Sequence, residues 1–381
     1  MPHEVTGILQ DLVRRPSTYP PGDTSAPCAW LCTQLEACGY AVRTLSRTPG
    51  VDNVVAQMGP GAPVLAFNCH LDTVAPGEGW TSDPFTLSEK PDGMLSGLGA
   101  VNCKGTAATQ LWLAREIARR GGPLKGSVVF SFVGDEERLG PDGTQYLADC
   151  GALAPDMLVM AAPTGNKLIV EERGVMWAEL KTLGRAAHAG DPDAGDNAIA
   201  RMMRLLARLS HDMSKRLDGR IESSHRSTLN IGTIVGGTNT NVVPERCTAT
   251  LDRRLLPQSE TVSGALEELR ASLKGAGEDN AMWSLELITG TNGFRMSPDQ
   301  ALVAAFSQAV QETTGNAAAF VTPIGASDAR FLAAGGAQIV IFGPGDDRQG
   351  HTANEAMNET QLLEACAIQR GVVERILGLA A

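Results

Sequence analysis

The chain has 381 residues, 43% of them hydrophobic and 20% charged, enough to bury the cores of two domains. Its 32 basic against 43 acidic residues leave a net charge of −11, so no basic face for nucleic acid or an anionic membrane is expected, although a few placed arginines suffice for an anionic small substrate. Glycine and proline are scattered without a G-X-Y period, which excludes a collagen-like chain, and no run approaches the ~18 apolar residues of a membrane span.

The first thirty residues lack a cationic start followed by an apolar stretch. Eight cysteines (28, 32, 38, 69, 103, 150, 247, 366) show no C-x-x-C spacing and sit among apolar neighbours. Reduced, buried thiols and a cytoplasmic location are expected. Residues 1–174 read as α/β. Apolar runs at 64–69, 126–133 and 157–162 read as strands, with a helix at 105–120 among them. That rhythm predicts a largely parallel, twisted sheet with both faces covered. The polar clusters HLDTV, GDEER and PTGN follow these strands, at the carboxyl ends where open α/β sheets place their sites.

From Val175 the rhythm changes. VMWAELKTLG, TLNIGTIVGG, ERCTATLDRRLLP and MWSLELITG read as strands. NAIARMMRLLARLSHDMSKRL and TVSGALEELRASLKGAG read as helices, one after the first strand and one before the last. The order β-α-β-β-α-β predicts a ferredoxin-like domain over 175–290. The α/β style resumes over 291–381, with a helix near 299–314, the strand QIVIFGPG and a closing helix. One α/β domain built from both ends of the chain, 1–174 and 291–381, therefore hosts an inserted domain.

Several segments can carry chemistry. In FNCHLDTV (67–74), His70 and Asp72 stand two apart at a strand end, which suits a metal-ligating histidine with an orienting neighbour and equally a polar loop. GLGAVNCKG (97–105) is a glycine-rich turn opening a helix, but it lacks both phosphate-binding patterns. In GDEER (134–138), Glu136 and Glu137 can divide labour between base and cation ligand, or form a solvated acidic loop. His188 heads the loop GRAAHAGDPDAGDNAI (184–199), and His351 lies in FGPGDDRQGHTANE (342–355) after a strand.

In this order and context these segments resemble peptidase family M20, the di-zinc aminoacylases, carboxypeptidase G-like enzymes, acetylornithine deacetylase and succinyl-diaminopimelate desuccinylase. LVRRPSTYPPG, HLDTV, GDEER, HAGDPDAGDNAI, GGTNTNVVP and HTANE carry the resemblance across nearly the whole chain. It implies a zinc-peptidase-like α/β/α catalytic domain with the inserted ferredoxin-like domain acting as lid and dimerisation module. It also implies a homodimer and a small-molecule substrate bearing a carboxylate. His70, Glu137 and His351 then match metal ligands, Asp72 the orienting carboxylate and Glu136 the general base. His188, reaching in from a dimer partner, matches an oxyanion stabiliser. Asn241 and Arg254 match substrate-carboxylate contacts, Arg173 sits at the domain junction, and Gly325 and Ser327 would line the opposite wall. Arg253 is read as a surface residue.

Two positions depart from the family. Asn102 stands where an aspartate bridges the two metals, and Ala162 where an acidic ligand precedes Pro-Thr. A carboxamide offers one neutral oxygen in place of two anionic ones, and alanine offers no donor. One metal position keeps only His70 and a poor Asn102; the other keeps Glu137 and His351 with Asn102 as a weak third. At most one zinc per chain is expected. Three readings follow: a one-metal amide hydrolase, a repurposed metal-poor or metal-free enzyme of a biosynthetic pathway using Glu136, His70 and His351 for acyl transfer, cyclisation, elimination or isomerisation, and a non-catalytic binding homologue. Cys69 and Cys103 flank the site, as thiolate ligands or nucleophiles or as small buried filler.

Overall fold

The computed structural model describes residues 3–138, 140–323 and 325–380. Helices α1 (Glu4–Val13) and α2 (Ser25–Ala37) precede strands β1 (Ala41–Ser46), β2 (Asp52–Met58) and β3 (Val64–His70). Helix α3 (Lys104–Arg119) leads to β4 (Ser127–Val133) and β5 (Met157–Ala161). Then come β6 (Gly174–Leu183), α4 (Ala198–Leu217), β7 (Thr228–Gly236), β8 (Arg246–Leu255), α5 (Val262–Lys274) and β9 (Trp283–Thr291). The chain closes with α6 (Ala301–Thr314), β10 (Gln338–Phe342) and α7 (Glu359–Ile376). Among the described residues no helix is long and apolar enough to cross a membrane.

The chain divides into two compact units, Met1–Val170 with Met296–Ala381, and Glu171–Arg295. In the first, six strands run in the order β10-β5-β3-β4-β2-β1. The four strands from β10 to β4 are mutually parallel, while β2 and β1 are antiparallel additions at one edge. The sheet is therefore mixed rather than largely parallel throughout. β1 is the exposed edge strand, with only Val42 and Leu45 partly covered, so its sequence lacks the apolar run of a central strand. β4 is buried at every residue and β3 at all but the first, as strands covered on both faces must be.

Parallel pairing has a direct consequence for the site. β3 ends at His70, β4 at Val133 before Gly134–Arg138, β5 at Ala161, and β10 at Phe342 before the loop bearing His351. All four polar segments leave the sheet at the same end.

The second unit has sheet order β7-β8-β6-β9, antiparallel throughout, with α4 and α5 as the crossovers. β6 alternates strictly, burying Met176, Ala178, Leu180 and Thr182. These meet Met202, Leu205 and Leu209 of α4 and Leu269 and Leu273 of α5 in one core. The side chain of Asn197 caps α4 by accepting from the Ala200 amide. This unit extends beyond 175–290 because Glu171–Glu172 pairs with Phe294–Arg295, and Arg295 Nε lies 2.6 Å from a Glu171 carboxylate oxygen.

Gly105, near the start of α3, has no room for a side chain. A Cβ there would strike the Ala100 carbonyl oxygen and the Met357 methyl. Gly105→Ala should lower stability by ~1–3 kcal/mol through overpacking, measured as a shift in the urea midpoint with unchanged slope.

Candidate functional site

His70, the last residue of β3, is buried, with 6% of its side chain exposed. Its Nδ1 lies 3.0 Å from the backbone oxygen of Asp72 and 3.6 Å from the Asp72 carboxylate. The closer orienting contact is thus the carbonyl of Asp72, where the sequence had suggested its side chain. The carboxylate has a second task, since its Oδ2 accepts the Glu137 amide at 3.0 Å. Asp72 therefore holds both the histidine of β3 and the acidic loop after β4.

Glu136 Oε2 stands 3.9 Å from His70 Nε2. Burial pushes the Glu136 carboxyl up to about 8; His70 opposes this, while Asp328 and Glu137 add repulsion. His70 responds in the opposite sense. Burial disfavours its charged form, but Glu136 and Asp72 prevail and hold it well above the usual imidazole range. Asp328, 4% exposed, was not picked out in the sequence because a single Asp in GASDARF has no diagnostic spacing. Its carboxyl is raised by burial.

Asn102 occupies the middle of the group. Its Oδ1 lies 3.3 Å from His70 Nε2. Its Nδ2 donates to Glu137 Oε1 at 3.0 Å and faces His351 Nε2 at 3.0 Å. His351 Nε2 and Glu137 Oε1 are themselves 3.0 Å apart. The turn carrying Asn102 is held by Glu355, four residues beyond His351. Its carboxylate accepts the amides of Gly99 and Val101, the latter at 3.3 Å. Lys104, wholly buried behind the same turn, donates from Nζ to the Arg15 carbonyl at 2.9 Å. Neither Glu355 nor Lys104 was singled out as a site residue, although both stand inside the quoted motifs.

The ligand positions can be tested for a metal. His70, Glu136 and Glu137 present donor atoms within 4.8 Å of one another. Glu137 and His351, with Asn102 between them, are spaced as ligands of one cation would be. The other position is depleted. β3 and β5 pair Asn68 with Met160; two residues on, His70 closes β3 while Ala162 lies just past the end of β5, and Ala162 has no donor to join the histidine. The donor set at Glu137 and His351 fits a metal.

Cys69 and Cys103 are fully buried, and Cys69 Sγ lies 3.3 Å from the Cys103 carbonyl oxygen. A hydrogen bond from Cys69, helped by His70 and opposed by burial, brings the Cys103 thiol down to about 5. Ser327 Oγ accepts the Ala329 amide at 3.3 Å, in the loop that also holds Gly325 and Asp328.

In the second unit the loop of His188 pairs with the Asn241 segment. His188 bridges to Val242, and the Ala189 amide donates to the Asn241 carbonyl at 3.0 Å. His188 is exposed, and its Nδ1 accepts the Gly190 amide at 3.0 Å. Arg173 Nη1 donates to the Arg226 carbonyl at 3.2 Å. Arg254 is ion-paired with Asp252 at 2.8 Å. Arg253 is a correction: it is 0% exposed, and its Nη2 lies 2.5 Å from Glu260. The alternation of β8 buries Cys247, Ala249, Leu251, Arg253 and Leu255 together, so the period-two pattern carried that signal.

The model of peptidase family M20/M25/M40 matches residues 66–375. A succinyl-diaminopimelate desuccinylase of Methylorubrum populi is 31% identical over 386 residues, 97% of either chain. That of Rhodospirillum centenum is 32% identical, over 97% of this chain and 96% of its own. A tripeptidase structure from Staphylococcus aureus superposes with a TM-score of 0.77 at 22% identity, over 98% of each chain. An M20 family metallo-carboxypeptidase from Sulfolobus solfataricus gives 0.75 at 17%, over 98% of this chain and 99% of that one. These two likenesses establish the shared fold. With the family match running from β3 into α7, the chain belongs to peptidase family M20/M25/M40, a family of metal-dependent hydrolases, and is an enzyme of that type.

Proposed function

We propose that this chain is an amide-bond hydrolase of the deacylase or carboxypeptidase type. Its substrate is an N-acyl amino acid or small peptide-like molecule with a free carboxylate, and its site takes at most one zinc. The observation that carries this reading is Glu136, a largely buried carboxyl 3.9 Å from His70 and adjacent in sequence to Glu137. Burial raises the proton affinity of Glu136, and a cation beside it would favour the ionised form, which can take a proton from the attacking water and return it to the leaving nitrogen. Glu137, His351 and Asn102 would hold the zinc, which when bound would supply positive charge to polarise the scissile carbonyl. Asp72 keeps the Glu136–Glu137 loop in place through the Glu137 amide.

His188 of the partner subunit in the proposed dimer is assigned to the oxyanion. With Nδ1 accepting from Gly190, its neutral ring carries the proton on Nε2, leaving an N–H to donate. Arg254, Arg173 and Asn241 are assigned to the substrate carboxylate, and Gly325 and Ser327 to the opposite wall. The desuccinylase relatives support an acylated amino acid as the substrate class. All eight cysteines are unpaired, which suits a cytoplasmic enzyme.

A second reading draws on the reach of the Asn102 amide, which touches His70, Glu137 and His351 at once. In it a metal-poor enzyme uses Glu136, His70 and His351 as acid and base groups for acyl transfer, cyclisation, elimination or isomerisation. We also infer a homodimer through the second unit. β7 is an open sheet edge, exposed from Asn230 to Gly236, and it presents Ile231, Ile234 and Val235, the last 71% exposed. An apolar edge of this kind is a template for pairing with a second copy.

Three outcomes are expected. Glu136→Gln should lower kcat roughly 100- to 10,000-fold while leaving metal content unchanged, read by steady-state kinetics on N-acyl amino acids beside elemental analysis. Chelation should abolish amide cleavage and zinc should restore it; undiminished turnover by stripped protein would favour the metal-poor reading. Val235→Lys should convert a dimer to a monomer in sedimentation velocity with little change in the melting temperature.

A further inference from the structure

Three atoms of the site, Asn102 Nδ2, His351 Nε2 and Glu137 Oε1, are mutually 3.0 Å apart. Hydrogen bonds do not satisfy such a triangle when Glu137 is ionised. If His351 Nε2 carries a proton, it donates to Glu137 but meets the Asn102 NH2, donor against donor. If Nε2 is bare, it accepts from Asn102 but meets the carboxylate, lone pair against lone pair. One edge is repulsive in either form.

A carboxamide has nearly the same shape after half a turn about its last bond, so its orientation is chosen by its partners. Turned, Asn102 directs Oδ1 into the triangle and Nδ2 toward His70. The triangle then consists of three electron-pair donors, at separations close to the ~3.3 Å between ligands of a tetrahedral zinc with bonds of ~2.0–2.1 Å. One cation satisfies all three. On the other side the amide N–H meets His70 Nε2, at the 3.3 Å now spanned by Oδ1; this contact needs the neutral ring, which a cation in the triangle would favour against the charged form that Glu136 and Asp72 favour without one. His70 Nδ1 keeps its proton for the Asp72 carbonyl at 3.0 Å. Both ring nitrogens are then engaged and no lone pair is left for a metal.

We propose that Asn102, with its oxygen turned to Glu137 and His351 and its NH2 turned to His70, completes a single metal site and makes His70 a positioning residue instead of a ligand. This rests on the one-metal reading of the site and specifies where the metal sits and what His70 does. A bridging carboxylate has no N–H with which to occupy the histidine; the carboxamide has one, so it fills one position by emptying the other. Glu355 supports the arrangement by fixing, through Gly99 and Val101, the turn that aims the amide.

The test is calorimetric titration of chelator-stripped full-length protein with zinc, with elemental analysis of the loaded protein. Wild type should bind one zinc per chain, and Glu137→Ala and His351→Ala should bind none. His70→Ala should still bind one zinc, about tenfold more weakly, the scale of losing an outer partner of a ligand. His70→Gln, which restores an acceptor for the amide but makes a poor zinc ligand, should recover most of that affinity and also guards against misfolding of the alanine variant. Loss of binding in both His70 variants to the extent seen in His351→Ala would make His70 a ligand and overturn the proposal alone, whereas two zincs in wild type would overturn it together with the one-metal reading. Wild type that binds no zinc would overturn it together with the one-metal reading.

Discussion

The constraint on which the site depends is the parallel alignment of β3, β4, β5 and β10. Parallel neighbours send their carboxyl ends the same way, so residues near 70, 136, 162 and 351 gather at one rim without any of the connecting segments being specialised for it. Packing maintains this alignment, since β3 and β4 are covered on both faces and Phe67 stacks on Phe130 at 5.3 Å between ring centres. Asp72 converts the coarse alignment into fine geometry. Its carbonyl fixes the ring of His70 and its carboxylate fixes the backbone of Glu137, so a single residue relates two strand ends.

On this frame the chain carries two substitutions with different consequences. Ala162 simply removes a donor next to His70. Asn102 changes the kind of contact available at the centre of the group, because a carboxamide is a donor at one end and an acceptor at the other. The losses are coupled in effect: with Ala162 in place, a carboxylate at 102 would still share its second position with His70 alone. Glu136, Glu137 and His351 still bring carboxylates and an imidazole together at the rim, as the proposed hydrolysis requires.

Much of this was legible in the sequence because it depends on strand ends. Apolar runs closed by HLDTV, GDEER or FGPG announce a buried strand followed by a polar loop, and the six elements of the second unit followed from alternation and helical periodicity. β1 was missed because an exposed edge strand lacks a sustained apolar run, and β2, although buried from Asn53 to Ala56, because its apolar run Val54–Val55–Ala56 is short and flanked by polar residues. Arg253 was misjudged for a different reason: two adjacent arginines have the same composition, and only the register of β8 sends one inward and the other out. Asp328 and Glu355 act through burial and through contacts with distant backbone, which one-dimensional spacing does not encode. The contacts of the Asn102 amide belong to the same class.

The first unit is assembled from two separated stretches of chain, and the second lies uninterrupted between them. On the ribosome His70, Asn102 and Glu137 emerge early, but β10, α7 and His351 belong to the last stretch to be made. The inserted unit has all its strands available first and can fold while its host still lacks the strand that pairs with β5. Completion of the proposed metal site therefore waits for the end of translation. A chain truncated before residue 338 would carry three of the site's four central side chains and yet have no closed site, with the flank of β5 left as an unpaired edge for other nascent chains to meet.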